Sequence, residues 1–177
     1  MLRGDLYEAS DPELAAQRNR CATLLHRLNG IDNGDRVARL EMLRELLGAI
    51  GVETTILSPF HCDYGAQITI GARGYVNAGA TILDCAPVAI GDDVQVGPYV
   101  QLLTATHPID AAERASGLEY ALPIVIGSGA WLGGGAIIGP GVTVGERTVV
   151  GAGAVVVRDL PSDVVAVGNP ARVVREL

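Results

Sequence analysis

From Ile126 onward an aliphatic side chain returns at every sixth residue: Ile126, Leu132, Ile138, Val144, Val150 and Val156. Gly127, Gly133, Gly139, Gly145 and Gly151 each follow one of these aliphatics. Ala130, Ala136, Val142, Thr148 and Ala154 stand four places after one. The phase is already present at Ile70, Val76 and Ile82, and again, after a two-residue slip, at Ile90, Val96 and Leu102. A period of six fits neither the 3.6-residue repeat of a helix nor the two-residue alternation of a strand. It predicts a mainly β solenoid in which each hexad is a short strand followed by a tight corner, stacked coil on coil. In such a molecule function belongs where the coil is interrupted.

Composition agrees with a narrow aliphatic prism. Hydrophobic residues make up 49% of the 177 residues but aromatic ones only 4%, so Val, Ile, Leu and Ala fill the core. The 23 glycines suit corners that need positive φ or close backbone approach. No apolar run is long enough for a membrane span, and the start, Met1-Leu2-Arg3-Gly4-Asp5, lacks the apolar core of a signal peptide. A net charge of −7 argues against general nucleic-acid binding. The charge is uneven, because residues 123–177 are balanced and end with Arg158, Arg172 and Arg175, a possible local cationic site or merely solvated arginines. Cys21, Cys62 and Cys85 have no metal-like spacing and suggest a reducing, cytoplasmic setting.

Two helices are expected before the coil. Residues 10–29 carry capping Ser10 and Asp11, then Pro12, with Leu14, Cys21, Leu24, Leu25 and Leu28 as an apolar stripe. Residues 35–47 place Val37, Leu40, Met42 or Leu43, Leu46 and Leu47 inward. The expected organisation is a helical cap over 1–55, the solenoid over 56–170 and a tail over 171–177. The solenoid is disturbed at Asp84-Cys85-Ala86-Pro87 and interrupted by a polar, proline-bounded excursion at 108–123.

Of the three histidines, His26 falls in the first helix and reads as a surface residue. His107 ends the last hexad before the excursion, in Thr106-His107-Pro108. A corner imidazole covered by a loop suits general base work near neutral pH, and equally suits a structural hydrogen bond to that loop.

Several motifs, in order along nearly the whole chain, resemble the bacterial sugar O-acetyltransferases, the maltose, galactoside and nodulation type. They are Gly4-Asp5-Leu6-Tyr7, Cys62-Asp63-Tyr64-Gly65, Tyr75-Val76-Asn77-Ala78, Thr106-His107-Pro108, Gly117-Leu118-Glu119-Tyr120, Trp131-Leu132-Gly133-Gly134 and Gly168-Asn169-Pro170-Ala171-Arg172-Val173. The resemblance implies a left-handed parallel β-helix, a sense that spacing alone does not give. It also implies acetyl transfer from acetyl-CoA to a sugar hydroxyl without a covalent intermediate or a metal. His107 would be the general base, Glu119 would hold its imidazole, and Asn77 would donate to the thioester oxyanion. Asp63, Tyr75 and Asp84 would meet the acceptor; relatives add an acidic residue from the N-terminal segment, but here Ala9 stands at that position, flanked by Glu8 and Asp11. Trp131, Gly133, Gly134, Ala152 and main-chain groups of Val157 would line the pantetheine path. Arg158, Arg172 and Arg175 would meet the nucleotide phosphates. The resemblance also implies a homotrimer with sites between subunits.

Other readings of a hexapeptide coil are weaker. A γ-type carbonic anhydrase needs three histidines around zinc, and only His61 and His107 are expected near the coil. Residues 1–55 are too short for a nucleotide-binding α/β domain. A non-catalytic scaffold, or an acetyltransferase acting on an amine or antibiotic, remains as the alternative.

Overall fold

The computed structural model describes all 177 residues. The chain winds as a parallel β-helix of three faces, and successive strands on each face pair in parallel. The first face carries Ala49–Ile50, Ile68–Ile70, Val88–Ile90, Ile124–Ile126 and Thr143–Val144. The second carries Thr55–Ile56, Tyr75–Val76, Gln95–Val96, Trp131–Leu132, Val149–Val150 and Val164–Val167. The third carries His61–Cys62, Thr81–Leu83, Gln101–Leu103, Ile137–Ile138 and Val155–Val156. The coil is the expected left-handed parallel β-helix.

The six-residue beat is the inward side chain of each strand. Ile126, Leu132, Ile138, Val144, Val150 and Val156 are at most 1% exposed, and Ala130, Ala136 and Ala154 fill the corners between them at 0%. Register stacks like on like: Ile50 pairs with Ile70, and Ile70 with Ile90. Each buried aliphatic contributes about 1.5–3 kcal/mol.

Corner geometry explains the slip. The partners Ile50, Ile70 and Ile90 are twenty residues apart, whereas Ile126 and Val144 are eighteen apart. The two extra residues widen the edge between the third and first faces, at 63–67 and again at 84–87. The first widening escapes a reading of aliphatic phase because Cys62 occupies the inward hexad position there. Asp84 ties the two widened corners together. Its Oδ1 accepts from the backbone N–H of Asp63 at 3.0 Å and of Tyr64 at 2.9 Å, and its Oδ2 accepts from that of Gln67 at 3.3 Å.

Helix α1 spans Pro12–Gly30 and α2 spans Arg36–Leu46. Asp11 caps α1 on the N–H groups of Glu13 and Leu14, and Asp35 caps α2 on that of Ala38. Cys21, Leu24 and Leu28 from α1 and Met42, Leu43 and Leu46 from α2 join the same core as the coil, closing its open end. Arg39, 4% exposed, donates to the carbonyls of Leu28, Ile31 and Ile56 and to Ser58 Oγ, placing a cation at the carbonyl end of α1. Coil structure begins at Ala49, before the helical cap was expected to end. The expected tail is instead a strand, Arg172–Glu176, folded back antiparallel on Val164–Val167. No helix is long and apolar enough to cross a membrane.

Candidate active site

The excursion is ordered by local chemistry. A short helix α3, Ala111–Ala115, is capped by Asp110 on the N–H of Glu113. The chain then turns at Gly117, whose φ of +84° lies in the left-handed region that glycine tolerates. It returns as Leu118–Ala121 and pairs antiparallel with Ala105–Thr106 on one side and with Tyr7–Glu8 on the other. Ala105 faces Ala121 and Thr106 faces Tyr120, so His107 follows opposite Glu119. Tyr7 is the cross-strand partner of Glu119 on the far side. Directly opposed residues project to one face of a sheet, so Tyr7, Glu119 and His107 form a row.

The His107 Nε2 to Glu119 Oε2 distance is 3.7 Å, with the imidazole about half exposed and the carboxylate at 16%. That is an ion-pair distance longer than an ordinary hydrogen bond, and such catalytic contacts commonly tighten when substrate arrives.

Beside this row lies a semi-buried polar cluster. Cys85 Sγ lies 3.4 Å from Asp63 Oδ2 and donates to it, and Arg18 donates to Tyr64 Oη at 2.8 Å and to the carbonyl of Ala9 at 2.6 Å. Burial pushes the Asp63 carboxyl above its usual range, opposed by the Cys85 thiol and by the charge of Arg18. Burial also raises the Cys85 thiol to about 12, which makes it a neutral hydrogen-bonding group and a poor nucleophile.

The other expected site residues divide between two edges. Asp63, His107 and Glu119 belong to the edge between the third and first faces, as do Val157 and Arg158 two coils further on. Asn77 lies at the opposite edge of the third face, just after Tyr75–Val76. Gly133, Gly134 and Ala152 occupy that same edge in later coils, and Tyr75 and Trp131 project outward beside it, 37% and 54% exposed. Arg172 and Arg175, both exposed, lie on the terminal strand against Val167 and Val165. One chain therefore brings together His107, Glu119 and Asp63, but not these with Asn77 and Tyr75.

One expectation changes. Asp84, expected among the acceptor contacts, is 0% exposed and its carboxylate is occupied by three backbone N–H groups, so it has no face for a ligand. Gly133 is small because the next coil requires it: a Cβ there would come 2.5 Å from the backbone N of Ala152. Tyr7, Arg18, Tyr64 and Cys85 complete the surroundings of the site and were not singled out for it. Tyr7 and Cys85 did stand in recognisable segments, the Gly4-Asp5-Leu6-Tyr7 motif and the slip at 84–87. No group of three or more His, Cys, Asp and Glu side chains is arranged to hold a metal ion.

A β-helix with an imidazole–carboxylate pair on a loop at its edge defines the class of hexapeptide-repeat acyltransferases, and comparison with known proteins narrows it. Residues 1–51 match the maltose acetyltransferase hexapeptide capping motif, and residues 123–158 match the bacterial transferase hexapeptide repeat. The chain is 50% identical to nodulation protein L of Rhizobium leguminosarum bv. viciae over 98% of its own length and 91% of that protein. The crystal structure of a maltose O-acetyltransferase from Clostridium difficile 630 superposes with a TM-score of 0.98 at 41% identity, covering 99% of this chain and 94% of that one. A hexapeptide-repeat acetyltransferase from Vibrio cholerae, solved in complex with acetyl-CoA, superposes with a TM-score of 0.94 at 38% identity, covering 100% and 96%. The chain belongs to the maltose and galactoside O-acetyltransferase family.

Proposed function

We propose that this chain transfers the acetyl group of acetyl-CoA to a hydroxyl of a sugar, with His107 as general base. The observation that carries the reading is the His107–Glu119 pair, 3.7 Å apart on a loop that a three-stranded sheet holds at the edge of the coil. The imidazole nitrogen facing Glu119 keeps its proton, and the other removes the hydroxyl proton as that oxygen attacks the thioester carbon. The C–O bond forms, the C–S bond breaks, and the imidazolium returns the proton to the departing thiolate. Glu119 stabilises the transient cation.

Asn77 suits the oxyanion. Its Oδ1 accepts from the N–H of Ala78 at 2.8 Å, which turns the amide nitrogen outward as a donor. Because Asn77 and His107 stand at opposite edges of one face, a single acetyl group meets both only where the edge of one chain abuts that of the next. A closed ring of three chains supplies such heterologous contacts and makes the homotrimer the functional unit. In that arrangement Asp63 and Tyr75 bind the acceptor from neighbouring chains, with Glu8 at the rim. The coenzyme arm follows Trp131, Gly133, Gly134 and Ala152, meets Val157 and Arg158 across the groove, and ends at Arg172 and Arg175. The three free thiols fit a reducing compartment such as the cytoplasm.

Free-thiol release from acetyl-CoA, measured against mono- and disaccharides, amines and chloramphenicol, tests the reading. Turnover with sugars is expected. Turnover confined to amines or chloramphenicol removes the sugar acceptor, and failure to bind acetyl-CoA removes the enzyme reading altogether.

A further inference from the structure

The hydroxyl of Tyr7 is the buried side-chain polar atom that the fold leaves without a hydrogen-bond partner. The residue is 9% exposed and packs among Tyr64, Cys85, Ala86 and Ala121. A phenol in such surroundings normally finds a partner, and one that does not calls for an explanation. Its neighbours supply it. Tyr7 is paired directly across the sheet with Glu119, on the same face, and it packs against Cys85. Burial and these two neighbours hold the phenol far above its usual range, so it keeps its proton and acts as a donor. Cys85 directs its own S–H to Asp63 and its sulfur is only a weak acceptor, so the carboxylate is the acceptor of choice.

We propose that Tyr7 is a positioning residue: its hydroxyl donates to Glu119 when substrate closes the site, fixing the carboxylate that orients His107. The row Tyr7–Glu119–His107 is thus a relay of position running from the N-terminal strand, through the returning strand of the excursion, to the base. The N-terminal strand thus does more than lead into the cap, because its buried side chain, Tyr7, stands directly across from the carboxylate behind the imidazole. This rests on the reading of Glu119 as the group that orients His107.

The test is a double-mutant cycle of Tyr7→Phe and Glu119→Gln on the full-length protein, read as kcat, KM for acetyl-CoA and melting temperature. Tyr7→Phe removes one oxygen that has no partner in the resting fold, so the melting temperature is expected to stay level or rise. Turnover should fall about tenfold, the scale of one hydrogen bond to a charged group, with KM for acetyl-CoA within about twofold. In the Glu119→Gln background, Tyr7→Phe should change kcat by less than about twofold, because both act through one carboxylate. Wild-type turnover in Tyr7→Phe, or multiplicative effects in the double variant, would overturn the proposal while leaving the role of Glu119 intact. Wild-type turnover in Glu119→Gln would overturn both, and the single variant alone shows it.

Discussion

His107 and Glu119 face each other at 3.7 Å across two strands that exist only because the coil is interrupted. The pair is built by β-pairing within the excursion, and its register fixes which carboxylate stands behind the imidazole. His107→Ala should therefore leave the fold intact and lower kcat by at least about 10²-fold, the usual worth of a general base. Glu119→Gln should lower it less, by about tenfold. Steady-state thiol release decides, and near-wild-type turnover in His107→Ala removes it from the mechanism.

Asp84 is a structural acceptor of three backbone N–H groups, and Asp84→Ala leaves those donors unpaired in a buried corner. A loss of about 3 kcal/mol is expected from denaturant unfolding. A change confined to KM for the sugar, with unaltered stability, would return Asp84 to the acceptor site.

Asp63 lends itself to a pH measurement. Burial raises its folded pKa above the reference value of 3.8, so the neutral carboxyl favours the folded state. That contribution is complete below about pH 3.8 and is lost as pH rises through the folded value. Asp63→Asn, which stays neutral, should flatten this loss and raise the melting temperature at pH 7 relative to wild type, while raising KM for the acceptor. A parallel pH–stability curve in the variant would show that the carboxyl is not strained by burial.

Gly133 and Gly134 adjoin in sequence but differ in surroundings. A Cβ on Gly133 would press at 2.5 Å on the backbone of the next coil, whereas one on Gly134 would sit 3.3 Å from the ring of Pro98. Gly133→Ala should destabilise by about 1–3 kcal/mol, as overpacking does, and Gly134→Ser by much less. Equal melting temperatures would mean that the coils separate more readily than their register suggests.

Arg172 and Arg175 are exposed and lie outside the catalytic row. Arg172→Ala or Arg175→Ala should raise KM for acetyl-CoA several-fold more than KM for the sugar, leaving kcat nearly unchanged. Equal effects on both would detach these residues from the nucleotide end.

The solenoid was legible because its physics is local and repeated. Six residues make one strand and one corner, so burial at Ile126, Leu132 and Ile138 is already a pattern in the chain. Asp11 as the cap of α1 was readable for the same reason. Apart from His107, whose place at the break is plain in the chain, the site was legible only through the family motifs. Nothing in the spacing between Tyr7 and Glu119 announces a cross-strand pair, since both helices and the first coils separate them.

What the sequence determined alone is the repeat: which side chains point inward, where the coil breaks, and that one imidazole stands at the break. Those features depend on interactions a few residues long. Tertiary structure decided that Asp84 turns inward to bind backbone, that Glu119 stands between Tyr7 and His107, and that Asn77 occupies the far edge of the same face. Each of these follows from strand register and corner length, which arise only when distant segments close on one another.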